Sequence, residues 1–201
     1  MDIDPHITEQ LVRLHSEDSS VRLDSVVALR DRLDVAEVVH AMRVLIHDPD
    51  GHVRILAAEA LARRGLHADE ALPVLIAVLG ASDKADVAKI PHAKEWRRVA
   101  AGVIQHYDTE ADAAIPALRN ALLDPDHNVR AYAAISLGAI GPAAIVALQD
   151  LRAARQTDEN DALREQVYDR AIRRIVGSDR FRVISWDEDE PFDAGHDRFR
   201  G

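Results

Sequence analysis

Apolar residues return along this chain at helical spacing, in runs broken by short turns rich in aspartate, proline and glycine. Between 51 and 64, Val53, Ala57, Ala60, Leu61 and Arg64 fall three and four residues apart, the spacing that gathers side chains on one stripe of an α-helix. Followed along the chain, the pattern predicts helices paired as 5–15 with 19–33, 35–47 with 50–65, 69–79 with 94–107, 110–123 with 126–139, and 142–155 with 159–177. The first and second members of each pair are called here helices A and B.

The turns repeat as well. Asp48-Pro49-Asp50-Gly51-His52-Val53-Arg54 returns as Asp124-Pro125-Asp126-His127-Asn128-Val129-Arg130, and each copy runs into an alanine-rich helix that ends near Gly65 or Gly138. Weaker copies carry Val21-Arg22, Trp96-Arg97 and Leu163-Arg164. The marker arginines Arg22, Arg54, Arg97, Arg130 and Arg164 stand 32, 43, 33 and 34 residues apart, so a period near 33 holds except for one long interval. The proline stops helix A, and the aspartate after it caps helix B by accepting from a backbone N–H with no partner inside the helix. An arginine one turn into helix B is placed to pair with a turn acid of its own or the adjacent repeat, a ladder that would set the stacking angle. One hairpin cannot bury such a stripe by itself; stacked hairpins can.

With its acidic turn, Val-Arg, small residues, Leu and closing Gly, the unit resembles the HEAT repeat, in particular the HEAT-like repeats of the phycobilin-lyase type. The resemblance covers roughly residues 5–177. It implies an all-α, right-handed α-α superhelix of about five hairpins, a repeat domain over 1–177 with an insertion at about 80–93, and a non-repeat acidic tail over 178–201. It further implies a concave surface lined by the B helices, where Glu59, Arg63, Arg98, His106, Tyr132 and Arg173 become candidate protein-binding residues. Leu23, Val27, Ile55 and Ile135 share that register, and three of these, Leu23, Ile55 and Ile135, are also suited to packing between repeats.

Two segments depart from the repeat. The long interval inserts about ten residues between helices 3A and 3B, and all three lysines, Lys84, Lys89 and Lys94, fall in or beside it. The tail holds all three phenylalanines and one of two tryptophans beside an acidic run. Phe181, Trp186 and Phe192 are therefore candidate docking residues, with 180–186 expected to cover the open end of the last hairpin.

Composition narrows the function. The net charge of −10 disfavours nucleic acid, and a chain without cysteine has no disulfide, thiolate metal site or cysteine nucleophile. An acidic N-terminus and the lack of a long uninterrupted apolar run lead to an expectation of a cytoplasmic protein, neither secreted nor membrane-spanning. HEAT-like hydroxylases hold iron with His-Glu pairs, but none of the ten histidines is followed by Glu, and no phosphate-binding glycine loop or nucleophile elbow occurs. The expectation is a non-enzymatic adaptor or scaffold with no cofactor or metal and a protein partner. Its rivals are an acidic inhibitor or immunity protein that neutralises a basic enzyme, and a bilin lyase subunit or chromophore chaperone.

Overall fold

The structure, a computed structural model, describes residues 4–80, 93–157 and 164–177. Lys84, Lys89, Phe181, Trp186 and Phe192 lie outside the described residues. Among the described residues ten α-helices follow one another: α1 Pro5–Arg13, α2 Ser19–Leu29, α3 Ala36–Leu45, α4 Gly51–Arg63, α5 Ala68–Gly80, α6 Ala93–Val103, α7 Ile115–Ala121, α8 His127–Ile140, α9 Leu148–Thr157 and α10 Arg170–Val176. Tighter 3-10 turns join α6 to α7 across a kink at Asp108, and others lead into α9; wider π turns at Arg164–Asp169 lead into α10. Odd-numbered helices are the A members and even-numbered helices the B members. No strand occurs among the described residues, and each B helix packs on its own A helix and on the B helix before it, as an α-α solenoid requires.

The turn chemistry starts the B helices. Asp50 Oδ1 accepts from the N–H of His52 at 2.8 Å and of Val53 at 3.3 Å, and Asp126 Oδ1 does the same for Asn128 and Val129 at 2.7 and 3.2 Å. The earlier aspartate of each turn has a different task. Arg22 of α2 reaches forward and donates from Nε and Nη2 to both oxygens of Asp48 at 2.8 and 2.7 Å, while its Nη1 bonds the Ser16 and Glu17 carbonyls behind it. Arg97 donates in the same direction to Asp124 at 2.8 Å. Arg54 and Arg130 clamp the carbonyls of their own turns, at Asp48 and Pro49 and at Asp124 and Pro125. Of the two expected pairings, the one with a turn acid of the adjacent repeat occurs, at Arg22 and Arg97; within their own repeats Arg54 and Arg130 take backbone carbonyls in place of the turn acid.

The B helices are walls between neighbours. In α4, Val53, Ala57, Ala60 and Leu61 are buried as the stripe predicts, but Ile55, Leu56, Ala58 and Ala62 on the other sides are buried too. A helix enclosed by α2, α3, α5 and α6 has no wet face over most of its length, so its amphipathicity is weak. Arg64 departs from the expected stripe. It is exposed, because it is the capping residue just beyond α4 and the chain turns away at Gly65. There Gly65 has φ +61°, its N–H bonds the Ala62 carbonyl, and the Leu66 N–H bonds the Leu61 carbonyl, a Schellman motif that the left-handed glycine permits.

Gly138 behaves differently from Gly65. It lies inside α8, where an added Cβ would sit 2.9 Å from Ala171 Cα, and so it permits close approach of α10; the glycine that ends α8 is Gly141, at φ +75°. The stretch His127–Thr157 is apolar enough over one window to match a membrane span by composition, but 56% of that window is buried inside the array and Gly141 breaks the helix.

Asp48 links stacking to pH. Burial alone would raise its carboxyl, yet the Arg22 fork and the Asp50 N–H hold it below its ordinary value of 3.8. Its stabilising contribution is therefore complete above about pH 4 and disappears as pH falls through the lowered folded value. Asp48→Asn should flatten the acid limb of stability measured by urea denaturation between pH 3 and pH 6. With side chains only 10% and 5% exposed, the pair also makes Arg22→Ala costly, by about 3–5 kcal/mol at neutral pH. Gly138→Ala should cost about 1–3 kcal/mol in the same assay, by forcing α10 off α8.

Candidate protein-binding face

Small residues on the B helices bring their backbones close together, and that closeness positions the larger side chains between them. Ser136 of α8 donates to the Ala101 carbonyl of α6 at 2.5 Å. One helical position away from Ala101, Gly102 faces the ring of Tyr132: a Cβ there would lie 3.2 Å from the Tyr132 Cδ1. The glycine is thus a seat for a tyrosine of the following repeat. Tyr132 is half-buried, which raises its phenol above the usual value, while the Arg98 and Arg63 charges pull the other way.

Among the described residues predicted to bind, Glu59 is the most enclosed, at 4% exposure. It is held one turn along α4 by Arg63, whose Nε and Nη2 donate to Glu59 Oε1 at 3.0 and 2.7 Å. Arg63 is exposed and also acts on His106 of the next repeat. His106 is exposed overall, but partial desolvation of its imidazole lowers it below its ordinary 6.5, Arg63 lowers it further, and Asp108 opposes both. At neutral pH the ring is mainly uncharged, offering one donor and one acceptor. Glu59, Arg63, Arg98, His106 and Tyr132 therefore form one neighbourhood across α4, α6 with its 3-10 extension, and α8. Arg173 is exposed on α10, in the register that Arg63 and His106 occupy in their own repeats. Of the apolar positions, Ile55 is core at 2% exposure, Leu23 and Ile135 are half-buried, and Val27 is 45% exposed.

Lys94 lies at the turn edge of the array. Its Nζ is 2.6 Å from Asp126 Oδ2, so it bridges repeats 3 and 4 at the cap of α8. Another contact was not legible in the spacing. The buried Tyr107 donates its hydroxyl to the Leu66 carbonyl at 2.8 Å, tying the end of helix 3B to the turn after α4. Gly65 lies there too, 3.2 Å from the His106 carbonyl at its would-be Cβ. A buried tyrosine at the end of an apolar run suggests such a tie, but the run does not reveal which carbonyl receives it.

A cleft of about 520 Å³ opens between α4 and α5, with His47, Arg54, Asp69, Glu70, Pro73 and Val78 among its lining residues. Ligand atoms of His67, Asp69 and Glu70 lie within 4.8 Å of one another. Glu70, however, is forked by Arg43 of α3 at 2.5–3.1 Å, which holds its carboxyl below the usual range. That geometry is an ion pair between successive A helices, and Arg119 and Asp150 repeat it between α7 and α9 at 2.5 Å.

A model described as HEAT repeats matches residues 5–90 and 92–169. The chain belongs to the HEAT-repeat family. No curated protein matches it. Among solved structures, an engineered protein determined by the Northeast Structural Genomics Consortium is similar in fold, with a TM-score of 0.60 at 21% identity over 85% of this chain and 79% of that one. HEAT arrays commonly serve as protein-binding surfaces, and the two matched blocks meet within the long third interval.

Arg63→Ala should destabilise the array by about 2–3 kcal/mol, because it leaves the Glu59 carboxylate enclosed without its partner, whereas Arg64→Ala should change stability by less than about 0.5 kcal/mol. Chemical denaturation of both variants checks the difference, and equal effects would remove Glu59 from its assigned role.

Proposed function

We propose that this HEAT-repeat protein is a non-catalytic adaptor or scaffold that holds a protein partner on its B-helix face, with the cytoplasm as its proposed compartment. The observation that carries the reading is Tyr132, seated on Gly102 and flanked by Arg63 and Arg98. Tyrosine and arginine supply large contact area and directional hydrogen bonds, and they dominate binding energy where such residues cluster on a rigid support. The support here is alanine-packed and has little freedom to move: Ala100, Ala101, Ala133 and Ala134 are all fully enclosed. Lys84, Lys89, Lys94 and the tail aromatics Phe181, Trp186 and Phe192 extend the proposed contact beyond this face.

The inhibitor reading, in which this acidic protein neutralises a basic enzyme, draws its support from the net charge and demands binding that weakens strongly with salt. The bilin-lyase reading draws its support from the repeat subtype and makes a separate demand, new visible absorbance when the protein is incubated with a bilin.

Affinity capture from a native lysate tests the adaptor reading, using the full chain, the chain ended after Gly177, and Tyr132→Ala. A partner that survives loss of the tail and weakens by about 2 kcal/mol or more with Tyr132→Ala supports it. Capture of nothing, or of proteins indifferent to Tyr132, removes it.

A further inference from the structure

Arg54 holds the pose of Arg22 up to the point where the two part. In both, Nη1 clamps two carbonyls of the turn behind, Ser16 and Glu17 for Arg22, Asp48 and Pro49 for Arg54. Arg22 then gives Nε and Nη2 to the turn acid of the next repeat, Asp48, and Arg97 gives Nε to Asp124. The corresponding position ahead of Arg54 is Pro91, and no carboxylate among the described residues accepts from Arg54 Nε or Nη2. Arg54 instead lines the cleft of about 520 Å³, whose α5 wall is apolar at Pro73, Val74, Ala77 and Val78. Most acids nearby are already engaged: Asp48 by Arg22, Asp50 as the cap of α4, and Glu70 by Arg43. Asp69 is exposed on the lining and makes no ion pair with Arg54.

We infer that this cleft takes an aspartate side chain of a partner protein, presented on a turn beside a small apolar residue, so that the partner supplies a rung between repeats 2 and 3. The inference rests on the adaptor reading and adds a contact away from the B-helix face. The fork sets the chemistry, because its parallel N–H donors match the two oxygens of a carboxylate, as Arg22 matches Asp48. Both acids that fill this register elsewhere in the array are aspartates followed by proline, Asp48-Pro49 and Asp124-Pro125. Pro73 and Ala77, both exposed, give the neighbouring apolar residue a surface to pack on. A single guanidinium facing Asp69 makes no extended positive field, so a polyanion gains nothing here over one carboxylate.

The test follows the Arg54 Nε–H resonance of the full-length protein by NMR, assigned through its loss in Arg54→Lys. The probe is a peptide blocked at both ends with the sequence of the chain's own turn at 122–127, Leu-Leu-Asp-Pro-Asp-His, and its twin carries Asn for both Asp. The acidic peptide should shift that resonance saturably and bind about tenfold more tightly than the twin. Ala77→Trp, which fills the cleft from an exposed position on α5, should abolish the shift, while Ala153→Trp, exposed on α9, should leave it unchanged. Unchanged circular dichroism and melting of Ala77→Trp keep its loss from being read as misfolding, and the comparison of the two peptides on the unaltered protein needs no variant at all.

No shift of the Arg54 resonance up to about 10 mM peptide overturns the inference, as does equal binding of the twin or a full shift in Ala77→Trp. Binding that emerges only when Asp83 and Asp86 are both changed to Asn also overturns it, by making the chain's own insertion the occupant. A captured partner that weakens with Tyr132→Ala but not with Ala77→Trp would leave the adaptor standing and remove only this second contact.

Discussion

The array depends on a guanidinium that reaches forward. Arg22 grips the backbone of its own turn with one nitrogen and gives its other donors to Asp48 of the next repeat, and Arg97 gives Nε to Asp124 in the same way. Both partners are nearly enclosed, so each charge needs the other, and a planar fork fixes direction as well as distance. Asp48 and Asp124 also accept from the N–H two residues on, which shapes the turn that lets the following aspartate cap helix B. One short acidic motif thereby starts a helix, closes a turn and sets the stacking of the hairpin before it.

Because these demands are met at the turn edge, the B helices are left free to pack through alanine and glycine. Close backbones then create the seats on which larger residues stand. Tyr132 over Gly102 and Arg63 over Glu59 are consequences of that economy of size, not independent decorations.

Features that depend on local chemistry were legible in the sequence. Asp-Pro-Asp, the marker arginines and the helical periodicity located the first five helices to within a few residues, whereas α7, α9 and α10 begin at Ile115, Leu148 and Arg170, well after the expected 110, 142 and 159, because 3-10 or π turns precede them. The forward rung followed from charge at a fixed offset. Features that depend on the gap between repeats were not. Gly65 and Gly138 look alike as closing glycines, yet one adopts a left-handed turn and the other admits Ala171. Arg64 fits the spacing of a buried stripe, but the helix ends before it. The register found Glu59, Arg63, Arg98, His106 and Tyr132 as a row, while the enclosure of Glu59 and its dependence on Arg63 required the neighbouring helices to be in place.

The forward rung is missing from one register of the sequence. The position six residues before the marker arginine holds Asp48 in the second repeat and Asp124 in the fourth, but Pro91 in the third, and a proline side chain cannot accept a fork. The joint between the second and third repeats is instead tied by Tyr107 on the Leu66 carbonyl and by Arg43 on Glu70. Two rung-bearing halves are therefore coupled by contacts of another kind. Such a molecule holds its two rung-bearing halves together through the apolar packing of α4 on α5 and α6, with one phenol and one guanidinium fixing the register of the joint.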